Sequence, residues 1–285
     1  MMHLIKIDES LLRRIKAIEI RARKLAEEMF AGEYLSAFKG RGMEFSEVRE
    51  YEPGDEFRLI DWNVTARRGF PHVKRFVEER ELSLIITLDL SGSMLPKLDL
   101  AVELCALLAI SALKNNDKAG LIAFTDRIEL LIPPSKARST AFLLIRKLLT
   151  TRPLGKGTDL SVALDRLMRM RRGIAFLISD FLCEGFERKL RAASKKHDLI
   201  ALIVREKAEV DLPSHGLVEF EDPETGRRAL IDLSEADRLS RKLEEMGHER
   251  KEILARCGVD HVEIAVGEPY IGKLIELMRR RAARR

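Results

Sequence analysis

Residues 82–94, Leu-Ser-Leu-Ile-Ile-Thr-Leu-Asp-Leu-Ser-Gly-Ser-Met, constrain the fold more tightly than any other stretch. The first half is apolar and β-branched, the composition of a strand buried on both faces, which places it inside a parallel sheet covered by helices. The second half sets Asp89, Ser91 and Ser93 at i, i+2 and i+4, so an extended backbone turns three oxygen-bearing side chains to one side. Asp and Ser oxygens suit Mg²⁺ or Mn²⁺ and do not suit zinc, and ligand sites of open α/β sheets lie just past the carboxyl ends of strands. A motif this short also has a plainer reading, a turn whose Asp and Ser side chains bond local backbone.

Beyond Met94, short apolar runs alternate with helical periodicity. Further strands are expected at Ala119–Phe124, Arg127–Ile132, Ile174–Ser179, Leu199–Val204 and Val259–Val266. Helices are expected at Asp99–Lys114, Thr140–Leu149, Leu160–Met170, Glu184–Lys195, Ser234–Gly258 and from Pro269 through Met278. Pro133-Pro134 should stop the third strand. In the long helix, Ser234 and Asp237 resemble a capping box, and Leu239, Leu243, Met246, Ile253 and Cys257 form the expected buried stripe. The sum is an α/β fold: a doubly wound, mostly parallel six-stranded, Rossmann-like sheet from about Glu81 onward. Residues 210–233 break the alternation, and the turn Asp222-Pro-Glu-Thr-Gly226 suggests a hairpin inserted at the sheet edge.

Two more oxygen ligands fall on the same rim. Gly155-Lys-Gly157-Thr158-Asp159 precedes a helix but lacks Walker spacing, so its glycines serve to swing Thr158 toward a site. Asp180 closes the strand Ile174–Ser179, as Asp89 closes its own. The candidate metal set is therefore Asp89, Ser91, Ser93, Thr158 and Asp180.

Residues 1–80 read as a separate N-terminal unit, and residues 81–285 as the main domain. Leu11, Ile15, Ile18, Ala22, Leu25 and Met29 step by three and four, an amphipathic helix capped by Asp8 or Ser10, ended by Gly32 and expected to pack on the main body. Its other face carries Arg13, Arg14, Arg21 and Lys24. Arg49 to Trp62 is dense in charge around a Pro-Gly-Asp turn and reads as an ion-pair network stapling a small β-rich subdomain to the main domain. Val73–Glu81 should extend as a strand into the core.

Charge and thiols narrow the function classes. The net charge of +5 is matched by Arg279, Arg280, Arg281, Arg284 and Arg285, all after the last acidic residue, Glu276. The body is then formally neutral, and with 6% aromatic residues it lacks the basic, aromatic-lined stripe of a nucleic-acid reader; the tail reads as a frayed end. A charged fraction of 34% with alternating signs and no Gln looks heat-adapted. Cys105, Cys183 and Cys257 have no Cys-x-x-Cys spacing and read as reduced core thiols of a cytoplasmic protein. No apolar run reaches the roughly 20 residues of a membrane helix.

Asp89-x-Ser91-x-Ser93 followed by Thr158 and Asp180 resembles the metal-ion-dependent adhesion site of von Willebrand factor A domains. The segment Gly42 to Arg67, with Arg49-Glu-Tyr-Glu-Pro-Gly-Asp-Glu-Phe-Arg58-Leu-Ile-Asp61-Trp62 at its centre, is similar to the signature of domain-of-unknown-function family 58, whose members join it to such a domain and are associated with MoxR-type AAA+ ATPases. The resemblance implies that Ser91, Ser93 and Thr158 bind the ion directly, and that Asp89 and Asp180 act through water. It implies a non-enzymatic module that offers the ion's open position to a Glu or Asp of a protein partner. One departure is Ser179-Asp180-Phe181 where many such domains have Thr-Asp-Gly, which puts the shape of the following loop in question. The rival readings are a Mg-dependent phosphoester hydrolase, against which stands the missing second Asp of an Asp-x-Asp motif, and an RNA-binding protein.

Overall fold

The computed structural model describes residues 9–30, 43–78, 82–155, 157–206, 217–221, 228–232 and 236–284. The N-terminal elements are α1 (Glu9–Phe30), β1 (Met43–Glu50), α2 (Trp62–Arg68) and β2 (His72–Glu78). The main domain continues with β3 (Ser83–Asp89), α3 (Leu98–Lys114), β4 (Lys118–Phe124), β5 (Ile128–Ser135), α4 (Ser139–Thr150), α5 (Leu160–Met168), β6 (Ile174–Ser179), α6 (Glu187–Lys196) and β7 (Asp198–Arg205). It closes with β8 (Leu217–Glu221), β9 (Arg228–Asp232), α7 (Ala236–Arg256), β10 (Asp260–Ala265) and α8 (Ile271–Ala283).

Six strands form one sheet in the order β10-β7-β6-β3-β4-β5, with every neighbouring pair parallel except β4 and β5. The chain starts at β3, winds outward through β4 to β5, then returns to β6 on the other side and winds outward again. The strand order reverses between β3 and β6. A doubly wound sheet opens a crevice at that switch point, beyond the carboxyl ends of the two strands, and those ends carry Asp89 and Asp180.

Both faces of the sheet are covered. Along β3, Leu84, Ile86 and Leu88 join a core made with α1, α3, α4 and α8, whereas Ile85 joins a second core made with α5, α6 and α7. The two-residue period of a strand thus feeds both cores and gives Asp89 the parity of Ile85. Helix α3 is buried nearly all round, from Ala101 through Ala112. Such a helix needs cover on its outer side as well. α1 supplies it: Ile15, Ile18, Ala22 and Ala26 are buried against the same core, and Arg21–Glu103 (2.8 Å), Lys114–Glu27 (3.1 Å) and Arg14–Asp99 join the two helices. Two arginines assigned to the outward face of α1 are therefore anchors to the main domain.

The structure departs from the sequence expectations at several points. Strand β5 runs through Pro133-Pro134 to Ser135, because it is an edge strand and its pairing with β4 shifts register there. Met246 is 40% exposed, and Gly247, Arg250 and Leu254 face inward instead. Among the described residues, the signature segment's ion pairs, Arg49–Asp55 (2.6 Å), Arg49–Glu52 (3.5 Å) and Lys74–Asp61 (3.6 Å), lie within that segment and the antiparallel β1–β2 pair, so they brace the small unit internally. Arg281 is only 5% exposed and pairs with Asp198 and Asp260, which makes the basic end the last turns of a docked helix. The hairpin expected at 210–233 is present as β8 paired with β9. Asp8, Gly32, Ser234 and the end of the strand expected at Val73–Glu81 lie outside the described residues.

Candidate functional site

The carboxyl end of β3 turns sharply into a 3₁₀ segment, Gly92–Lys97, and the turn is built by the motif itself. Asp89 is fully buried; its Oδ1 accepts the Ser91 N–H at 2.9 Å and its Oδ2 accepts the Ser179 hydroxyl at 2.7 Å. Ser179 closes β6, the neighbour of β3 across the switch point, and its Oγ also accepts the Phe181 N–H at 2.9 Å. One hydroxyl thus ties the two strand ends together. Burial, reinforced by the nearby Asp180 carboxylate, pushes Asp89 up to about 6 despite the hydrogen bonds from Ser91 and Ser179.

Asp180 is also fully buried. Its Oδ1 accepts the Leu182 N–H at 3.2 Å, and its Oδ2 lies 2.9 Å from the Lys97 ammonium. Arg250, 8% exposed on α7, donates Nη1–H to the Asp180 carbonyl at 2.7 Å. The departure from Thr-Asp-Gly resolves here: Phe181 adopts φ 55°, the left-handed conformation that glycine favours, and buries its ring beside Phe186.

Thr158 sits on the adjoining loop. The Asp159 N–H bonds the Thr125 carbonyl at 3.1 Å, one residue past Phe124, which is registered opposite Asp89. Upstream, Glu129 accepts the N–H groups of Leu154 (3.1 Å) and Gly155 (2.7 Å) together with the Thr125 hydroxyl (2.7 Å). Gly155 is required by this close approach, since a Cβ there would lie 2.0 Å from Thr125 Oγ1. From the other side, Cys183 hydrogen-bonds the Leu160 backbone, while burial first and then the Asp89 and Asp180 charges push its thiol up to about 11.

Asp89, Ser91, Ser93 and Asp180 therefore gather at one strand-end crevice, and Thr158 lies on the loop tied to the neighbouring strand end. Lys97, Ser179, Arg250 and Glu129 were not among the sequence candidates. Only Ser179 had a signal, as the polar residue ending an apolar strand just before Asp180. The donor set fits a small hard cation: the Ser91 and Ser93 hydroxyls are 3.2 Å apart, close to the about 2.9 Å between adjacent ligands of an octahedral Mg²⁺. Among the described residues no group of three or more His, Cys, Asp or Glu side chains could hold a metal, so a cation here would rest on hydroxyls backed by two carboxylates.

Residues 47–252 match the family model DUF58, described as a protein of unknown function. The chain belongs to DUF58. Among curated proteins, this DUF58 chain is similar to uncharacterized protein Rv1480 of Mycobacterium tuberculosis (strain H37Rv), 29% identical over 291 residues that cover 97% of this chain and 92% of the relative. Among solved structures, it is similar to the conserved hypothetical protein BatB of Bacteroides thetaiotaomicron, with 17% identity, a TM-score of 0.44 and coverage of 71% of this chain and 99% of that one. The SpRpn10 VWA domain is also similar, with 10% identity, a TM-score of 0.38 and coverage of 68% of this chain and 94% of that one.

Proposed function

We propose that this DUF58 protein is a metal-dependent protein-interaction module. A Mg²⁺ or Mn²⁺ would be held by the hydroxyls of Ser91, Ser93 and Thr158, with Asp89 and Asp180 behind them through water. The observation that carries the reading is the pairing of Asp89 with Ser179 across the switch point, which leaves the Ser91 and Ser93 hydroxyls adjacent at the crevice. When bound, such an ion supplies an electron-poor position that a carboxylate can occupy. The protein's own part is to fix the hydroxyls, keep both acids buried and already hydrogen-bonded, and present the loops around them.

Those loops favour a protein partner. Leu95, Leu154 and Leu182 are 58%, 78% and 47% exposed, one on each of the three segments that carry Ser93, Thr158 and Asp180. Apolar side chains around a polar centre are the composition of an interface core. A partner that presents Glu or Asp beside apolar residues matches it. By the family resemblance, a MoxR-type AAA+ ATPase is the first partner to try. A hydrolase reading has less support: His72 bonds the Phe70 carbonyl, His248 pairs with Glu252 and His261 faces the Val259 carbonyl, so none of these is set as a base for Ser91.

The test is affinity capture of a purified MoxR-type ATPase, with and without divalent metal, by wild type and by Asp89→Ala. Binding should require metal, and Asp89→Ala should abolish most of it while the circular dichroism spectrum is unchanged. Capture that survives chelation of Mg²⁺ and Mn²⁺ would sink the reading.

A further inference from the structure

Lys97 ends the 3₁₀ turn behind Ser93, and its ammonium lies 2.9 Å from Asp180 Oδ2, with the two side chains 2% and 1% exposed. An ion pair this deeply buried is costly to desolvate, and positioning Asp180 does not require one, since the Leu182 N–H already orients its other oxygen. Arg250 adds a second buried cationic group against the same residue, at the Asp180 main-chain oxygen. Asp180 thus meets two buried cationic groups, one at its carboxylate and one at its main-chain oxygen, before any metal enters. A divalent ion at the serine hydroxyls would feel a fixed positive charge in a poorly screened setting.

Building on the metal reading above, we infer that Lys97 is the resident cation of this centre: it holds Asp180 in the metal-free protein and keeps the affinity for a lone divalent ion low. Lys97 is then a metal-affinity-determining residue outside the adhesion motif. It acts through Asp180 and through charge, without touching the ion.

The experiment is Mn²⁺ titration of the full chain, followed by the electron paramagnetic resonance signal of free Mn²⁺, with thermal melting as a second readout. Lys97→Met should bind Mn²⁺ at least roughly tenfold more tightly than wild type, because a like charge has been removed from the pocket. It should melt lower than wild type in chelator and regain the difference in saturating Mn²⁺. Lys97→Arg keeps the charge and should bind no more tightly than wild type. Should Lys97→Met fold poorly, the charge-matched double variant Lys97→Met/Asp180→Asn removes both partners of the pair, and it should bind Mn²⁺ more tightly than Asp180→Asn alone.

A Lys97→Met affinity equal to or below that of wild type, or a double variant as weak as Asp180→Asn, overturns the inference while leaving the metal reading intact. If wild type fails to bind and Lys97→Met binds in a Ser93-dependent manner, Lys97 excludes the ion and the inference stands, but wild type is not a metal-dependent module. If neither binds, both fall.

Discussion

At the scale of single residues, the candidate site rests on side chains that accept local cost in order to bring two strand ends together. Phe181 is the clearest case. Its left-handed backbone costs roughly 1–2 kcal/mol relative to glycine, yet its ring is 2% exposed and packed 6.2 Å from Phe186. Phe181→Gly recovers the backbone term and loses a buried aromatic worth about 3–5 kcal/mol. The expected net result is a destabilisation of about 2 kcal/mol in denaturant unfolding, and a variant as stable as wild type would show that the ring contributes nothing there. Asp89 illustrates a different cost. Hydrogen bonds from Ser91 and Ser179 favour its charged form, but burial and the neighbouring acid outweigh them. Nothing in the Asp-x-Ser-x-Ser spacing announces the neighbouring acid, because Asp180 arrives from the end of a different strand.

At the scale of elements, the loop from Leu154 to Thr158 is positioned by a strand that it does not adjoin in sequence. Burial alone would raise the Glu129 carboxyl, but the Gly155 and Leu154 N–H groups and the Thr125 hydroxyl hold it below the usual carboxylate range. A depressed carboxyl contributes stability that is present above its unfolded value and lost as pH falls through the folded one. Glu129→Gln weakens this clamp without changing its shape. The expected outcome is faster amide exchange at Leu154 and Gly155 with global stability nearly unchanged; protection equal to wild type would mean the loop is held by other contacts. At the end of α6, His197 is 2% exposed, and burial, then the adjacent Lys196, lower its affinity for a proton. The unfolded chain takes up that proton first, so the His197 contribution favours folding at neutral pH and is lost as pH falls below about 6.5. His197→Phe should flatten that part of the stability profile, and an unaltered pH dependence would assign the effect elsewhere.

At the scale of the whole molecule, α1 and the sheet form one packed body, as the apolar stripe of α1 leads one to expect. The outer side of α3 is apolar because α1 covers it, and Glu103 receives both Arg21 from α1 (2.8 Å) and the Tyr270 hydroxyl from the turn before α8 (2.7 Å). Ile15→Ala, at a position with 0% exposure, should cost about 2–4 kcal/mol, measured by denaturant unfolding. A chain beginning at residue 31 should expose that face and aggregate, whereas a soluble, fully stable one would make α1 an appendage. No helix among the described residues is long and apolar enough to cross a membrane. By itself the sequence determined the doubly wound sheet, the hairpin and the Asp-x-Ser-x-Ser turn at a strand end. Each of these is written in local period: apolar runs for buried strands, three-and-four steps for helices, and alternation of Asp and Ser at one strand end. The tertiary structure alone decided the rest. Whether Pro133-Pro134 ends a strand depends on which edge the strand occupies. Ser179 reaches Asp89, and Lys97 reaches Asp180, because β3 and β6 become neighbours at the point where the strand order reverses, while Arg250 reaches Asp180 from α7, and contacts of that range leave no period in the chain.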